Sequence, residues 1–200
     1  MDYQVSVVGG GISGALAALY LGKSRVKTCL IDRGKPSQRL SNPYIGKTTS
    51  LNLSSIASLR DVGIWEDIKK NAQEFNEIYV WDAEGSSSVQ FKAEEISRND
   101  LGVIVHNNII LESIYSKLEQ ISEVTLIEEE SLKEISQDQN KIELTSDSGL
   151  KIASELLIGA DGSLSKVRDF SSIPIRTWSY EQLAIVSSVC LLYTSPSPRD

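Results

Sequence analysis

Three glycines and two aspartates hold the chemistry that this sequence can do. Gly9, Gly11 and Gly14 lie in the run Gly9-Gly10-Gly11-Ile12-Ser13-Gly14, a G-x-G-x-x-G spacing, and Asp32 follows 18 residues after Gly14. The pattern suits a dinucleotide. Gly9 allows a tight turn. Gly11 has no side chain, so a pyrophosphate can approach the backbone. Gly14 lets a helix lie close to a strand. A carboxylate at Asp32 can accept hydrogen bonds from a ribose 2′-OH.

These residues need a strand, a helix and a second strand to position them. Tyr3 to Val8 is a short apolar run, as expected of a buried central strand. Residues 12–23 read as a helix, whose N-terminus offers free N–H groups and a positive dipole end to phosphates. Lys23 suits its C-terminal end. Residues 27–32 read as a second parallel strand that ends at the acid. The whole fingerprint is therefore in context, which a bare Gly-rich turn in an unrelated α/β protein would not be.

A second constellation, Gly159-Ala160-Asp161-Gly162-Ser163, follows the apolar run Leu156-Leu157-Ile158 and leads into Ser165-Lys166-Val167-Arg168. Asp161 is expected at the carboxyl end of a strand, where open α/β sheets bind ligands. There it can accept from a ribitol or ribose hydroxyl, and Gly162 permits close backbone approach. Arg168 can reach a phosphate or pin the loop through a carboxylate. The plain alternative is an ordinary Asp-Gly turn.

Composition narrows the function classes. The 200 residues suit one domain, or one and part of another, and 40% hydrophobic with 24% charged residues is ordinary for a globular chain. A net charge of −7, with no basic stripe, argues against nucleic acid as a partner. Cys29 reads as a packed strand residue, and no disulfide framework is apparent, which fits a reducing compartment. His106 has no second histidine or nearby cysteine, so no metal site is expected. The uncharged stretch Val5–Gly22 approaches membrane-span length, but its glycines fit the strand, turn and helix better.

Elsewhere the expectations are coarser. Residues 34–49 read as a loop with Pro36 and Pro43. Leu51 to Val62 has near-helical spacing, Ile64-Trp65 plugs the core, and a short helix starts at Glu66. Residues 78–82 and 89–91 read as strands joined by the turn Ala83-Glu84-Gly85-Ser86. Residues 101–105 read as extended. Asn107 or Asn108 is expected to cap a helix whose inner face is Ile109, Ile110, Ile114, Leu118 and Ile121. Residues 124–127 are a parallel strand candidate. Residues 132–135, 141–145 and 150–153 form an expected antiparallel meander, before 156–158 returns to the buried sheet.

With the motifs in place, a family resemblance becomes specific. Gly159-Ala160-Asp161-Gly162 with Ser165, Val167 and Arg168, downstream of the first glycine motif, is similar to the flavoprotein aromatic hydroxylases with the p-hydroxybenzoate-hydroxylase fold, and within them most of all to the ubiquinone-biosynthesis hydroxylases. Gly63-Ile64-Trp65, Val80-Trp81-Asp82-Ala83, Leu101-Gly102-Val103-Ile104-Val105 with Asn107, and Trp178-Ser179-Tyr180-Glu181-Gln182 resemble that group's motifs in the right order. Lys47 stands where the group has arginine, His106 where it has glutamate, and Asn108 where it has arginine.

The resemblance implies an α/β, Rossmann-like FAD-binding domain of glutathione-reductase type, with inserted antiparallel sheet elements, over residues 1–170. A substrate-domain sheet is then expected to start at 171–189. It implies FAD, reduced by NAD(P)H, which reacts with O₂ and delivers one oxygen atom to the ring of a polyprenylphenol precursor of ubiquinone. Gly9, Gly11 and Gly14 would hold the pyrophosphate and Asp32 the adenosine ribose. Arg33 would lie by the adenine, and Asp161 and Gly162 near the ribityl chain, with Arg168 beside them. No catalytic residue is assigned. Two alternatives stay open: another flavoenzyme of the same fold (a halogenase, epoxidase or isoprenoid reductase), and a non-catalytic FAD-binding protein. A cytoplasmic protein is expected, with peripheral contact at the inner membrane face and a complex with other quinone-biosynthesis proteins both compatible.

Residues Cys190 to Asp200 (CLLYTSPSPRD) resemble the in-frame translation of a transposase adaptor used in shotgun sequencing. On that reading biological sequence stops near Val189. The chain is then an N-terminal fragment lacking its C-terminal part, expected to be inactive by itself.

Overall fold

The computed structural model describes residues 2–35, 47–82, 85–183 and 185. Pro36, Pro43, the Ala83-Glu84 half of the expected turn, the strand pattern at 186–189 and the adaptor-like segment lie outside the described residues.

The architecture is mixed α/β, and its centre is a six-stranded sheet. In chain order the elements are β1 (Asp2–Val8), α1 (Ile12–Lys23), β2 (Thr28–Ile31), β3 (Thr48–Asn52), α2 (Leu53–Asp61), α3 (Trp65–Lys69), β4 (Gln73–Phe75), β5 (Glu77–Trp81), β6 (Ser88–Lys92), β7 (Gly102–His106), α4 (Asn107–Leu118), β8 (Val124–Ile127), β9 (Leu132–Gln137), β10 (Ile142–Ser146), β11 (Lys151–Gly159) and α5 (Lys166–Phe170). The large sheet runs β8-β2-β1-β11-β10-β9. Its first four strands are mutually parallel, and β10 and β9 continue it as an antiparallel meander.

Alternation along the strands sends side chains into two cores. Val5, Val7 and Leu30 meet α1 and α4 through Ala15, Ala18, Leu19, Ile110, Ile114 and Leu118. Cys29 and Ile31 point the other way, toward Leu132, Leu144, Ile152 and Val167. Each fully buried leucine or isoleucine here contributes about 1.5–3 kcal/mol. The inner face of α4 is as the spacing predicts, with Ile121 packed at its margin.

Four expectations need correction. Leu51 belongs to β3, which pairs antiparallel with β7, and the helix starts only at Leu53, where the Asn52 side chain accepts from the Ser55 N–H at 2.8 Å. Thr48 and Thr49, expected in a loop, are the first residues of that strand. Neither asparagine caps α4. His106 occupies the cap position without a side-chain bond, while Asn107 Oδ1 accepts from the Thr49 hydroxyl at 2.5 Å. Finally, the runs expected at 150–153 and 156–158 fall in one strand, β11, which begins at Lys151. Lys151 to Ser154 pair with β10, and from Ala153 to Gly159 the strand pairs with β1. Past the end of β10, Leu156 is 53% exposed.

The β5/β6 hairpin forms a separate two-stranded sheet, exposed along both strands. The described residues from 171 to 183 carry no helix or strand. No helix among the described residues is long and apolar enough to cross a membrane.

Candidate functional site

The site is built where β1 and β11 end side by side. Their parallel register pairs Val8 with Gly159, and the Ala160 N–H donates to the Val8 carbonyl at 2.7 Å. The two Gly-rich turns therefore leave adjacent strands at the same level. A cleft of about 710 Å³ opens between them, lined by Gly9, Gly11, Asp32, Arg33, Asp161 and Gly162 among others.

The first turn is set by close approach. Gly9 has φ +107°, and a Cβ there would lie 2.3 Å from the Ala160 carbonyl oxygen. Its N–H donates to the Ile31 carbonyl at 2.8 Å. Gly14 sits beneath the turn, where a Cβ would meet the Gly9 oxygen at 1.9 Å and the Ala160 Cβ at 3.0 Å. A Cβ on Gly11 would meet nothing within 4 Å. That open space faces the cleft at the N-terminus of α1, whose cap uses no side chain. Free N–H groups, a helix dipole and a bare backbone are the donor set that an anionic pyrophosphate needs. The residues present thus fit a dinucleotide cofactor.

Asp32 is buried at the end of β2. Its Oδ2 accepts from the Gly10 N–H at 2.5 Å and its Oδ1 from the Gly34 N–H at 2.8 Å. The carboxylate therefore braces the turn as well as lining the cleft. Arg33 lines the cleft from an exposed position.

Asp161 organises the second turn. Its Oδ2 accepts from the N–H groups of Lys166 at 2.7 Å and Val167 at 3.3 Å, and its Oδ1 accepts from the Ser165 hydroxyl. Ser165 in turn accepts from the Arg168 N–H at 3.1 Å. Gly162 has φ +89° and open space where a Cβ would be. Arg168 does not line the cleft. Its Nη1 donates to the Ser163 carbonyl at 3.0 Å, which pins the loop, and its Nη2 lies 3.6 Å from the Asp169 carboxylate, its neighbour on α5.

Sequence reading missed several lining residues. Asn107 and Leu111 come one turn apart along α4, and Lys166 and Leu164 come from the second turn. Lys47, singled out only as a departure, is in the wall, and its carbonyl accepts from the Asn107 N–H at 2.9 Å. Glu130 lines the opposite side, where the hydroxyls of Ser146 and Ser148 hold its carboxyl below the ordinary range. These positions have no local motif; only the tertiary fold gathers them. No cluster of metal-ligating side chains occurs among the described residues.

With this geometry established, comparison with known proteins is informative. A family model described as an FAD binding domain matches residues 2–197. The ubiquinone hydroxylase UbiL of Rhodospirillum rubrum is 29% identical over 186 residues, which cover 93% of this chain and 43% of UbiL. The 3-demethoxyubiquinol 3-hydroxylase of Escherichia coli is 28% identical over 189 residues, covering 93% of this chain and 48% of that protein. The chain thus spans about half the length of the curated relatives it matches. Among solved structures, the flavin-dependent monooxygenase PieE in complex with FAD and substrate superposes with a TM-score of 0.70 at 18% identity, over 86% of this chain and 32% of PieE.

Proposed function

The chain belongs to the FAD binding domain family, and on that premise we propose that it is the cofactor-binding half of a monooxygenase that hydroxylates the aromatic ring of a ubiquinone precursor. One observation supports this most: two Gly-rich turns from distant parts of the sequence open onto a single cleft, and each has an aspartate and a bare backbone facing it. The curated relatives, named as ubiquinone hydroxylases, supply the substrate class.

When bound, FAD supplies the redox chemistry, taking reducing equivalents from NAD(P)H and activating O₂ for insertion of one oxygen atom into the ring. The chain's residues bind and orient it. The α1 N-terminus and Gly11 receive the pyrophosphate, with Gly9 and Gly14 holding the turn in shape. Asp32 takes the adenosine ribose with its remaining lone pairs, and Arg33 borders the adenine. Asp161 and Gly162 border the ribityl chain, and Arg168 supports them by fixing the Ser163 carbonyl. A prenylated substrate would bring the protein to a membrane surface by its tail.

Two measurements test this reading. Titration of the chain with FAD, followed by flavin fluorescence, is expected to saturate at one equivalent, and a flat titration sinks the cofactor assignment. The complete reading frame from the source DNA, loaded with FAD, is then given NADPH, ¹⁸O₂ and a polyprenylphenol. One ¹⁸O atom in the ring is expected; NADPH consumption that leaves the ring unlabelled sinks the hydroxylase assignment.

A further inference from the structure

The middle residue of the first turn, Gly10, is held from both sides. Its N–H donates to Asp32 Oδ2 at 2.5 Å, and its carbonyl accepts from the Tyr115 hydroxyl at 2.9 Å. Tyr115 comes from α4, 105 residues away in sequence, and is 4% exposed. It is the one aromatic on a buried helix face otherwise made of Ile109, Ile110, Leu111, Ile114 and Leu118. A tyrosine in such a place needs a partner for its hydroxyl, because a buried polar group without one is costly. The partner it finds is the carbonyl of the phosphate-binding turn.

The same packing explains why position 10 is glycine. A Cβ there would lie 2.3 Å from the Tyr115 hydroxyl and 3.0 Å from the Asp32 Cβ. The general G-x-G-x-x-G pattern leaves this position free; in this chain Tyr115 and Asp32 close it. Asn107, Leu111 and Tyr115 follow one another at one-turn spacing along α4. The first two line the cleft, and Tyr115 stands behind the turn, outside the lining.

We propose that Tyr115 is a positioning residue for the cofactor: with Asp32 it holds Gly10 through the N–H on one side and the carbonyl on the other, and so fixes the turn in the shape that receives the pyrophosphate. The proposal rests on the FAD-binding assignment. It requires no contact between Tyr115 and the cofactor. Its effect comes through preorganisation, since a turn that must be ordered at binding lowers affinity.

The test compares Tyr115→Phe with Tyr20→Phe in the full chain. Tyr20 is a matched control: its hydroxyl also donates to a carbonyl, that of Ser58, at 2.9 Å, but away from the cleft. Tyr115→Phe is expected to weaken FAD binding about tenfold, the loss equivalent to one hydrogen bond's worth of preorganisation, with Tyr20→Phe staying within about twofold. Equal weakening in both would overturn the proposal, since it would report general loosening. Gly10→Ala supplies the second arm. Alone it is expected to weaken FAD binding by about a hundredfold, and together with Tyr115→Phe by at least about tenfold less than alone, because the obstructing oxygen is gone. Additive losses would overturn the clamp. The same coupling is read in the melting temperature without cofactor, where Gly10→Ala should cost less beside Tyr115→Phe than alone. A chain that showed this coupling but bound no FAD would count against the cofactor assignment, not against the clamp.

Discussion

Gly14 and Gly9 are in such close contact that a Cβ on Gly14 would lie 1.9 Å from the Gly9 carbonyl oxygen. The obstructing atom is backbone, so it cannot swing aside as a side-chain tip can. Gly14→Ala must push α1 away from the turn or distort the turn itself. We expect a loss of about 1–3 kcal/mol of stability, as for other overpacked sites, together with loss of FAD binding. Chemical denaturation and a flavin titration check both; a variant that keeps native stability and affinity would refute the packing role.

Gly11→Ala should separate the two effects. A Cβ there meets no protein atom within 4 Å, and Gly11 has ordinary extended backbone at φ −71° and ψ −178°. Gly11 is the N-cap of α1, where alanine is less favourable than glycine, so a stability loss of no more than about 1 kcal/mol is expected. The new methyl projects into the cleft where the pyrophosphate is placed, so FAD affinity should fall at least about tenfold. Unchanged affinity would move the pyrophosphate elsewhere in the cleft.

Asp161→Ala should act on structure and ligand together. The carboxylate accepts two backbone N–H groups at the start of α5 and the Ser165 hydroxyl. Loss of a cap of this kind costs about 0.5–2 kcal/mol. Asp161→Asn retains one acceptor oxygen and should recover part of that stability. If both variants melt like the parent chain, the capping role is refuted.

Cys29 gives a pH signature. Burial pushes its thiol above the ordinary value of 9.0, against the weaker opposing effect of its bond to the Ser6 hydroxyl. Above pH 9.0 the unfolded chain releases a proton that the folded chain retains. Stability from this group is therefore complete below that pH and declines as pH rises through the folded value. Thermal melts between about pH 8 and 10.5 should fall less steeply for Cys29→Ala than for the parent. Parallel slopes would show that Cys29 plays no part.

The sequence made the nucleotide half of this site legible because its parts are local. A strand, a turn, a helix and a strand lie within residues 2–32, so spacing alone placed Gly9, Gly11, Gly14 and Asp32. The Asp161 turn was readable for the same reason. β3 was not, because Thr48, Thr49 and Ser50 have no apolar alternation, and Leu51 happens to continue the helical spacing of Leu53, Ile56 and Leu59. Pairing with β7 decides its conformation, and pairing is a long-range fact. Tyr115 left one signal, an aromatic hydroxyl on an aliphatic helix face, and its partner could be found only in three dimensions. Of the two roles open to Arg168, reaching a phosphate or pinning the loop, its bond to the Ser163 carbonyl favours the second, and that carbonyl is found only in three dimensions.

The continuous strand β11 has a consequence for how such a chain can change in length. It spans nine residues without interruption, with the meander on one end and the Asp161 turn on the other. An insertion or deletion within it would slip the Val8–Gly159 register by one residue, about 3.3 Å, and turn every following side chain to the opposite face. The two cofactor turns would then no longer face each other. The connection between β9 and β10 has no such coupling, because it ends in a surface turn at Asp138. Length variation among relatives should therefore collect at that turn and be excluded from residues 151–161, so that the spacing of the two glycine motifs drifts only by what the meander and the outer loops absorb.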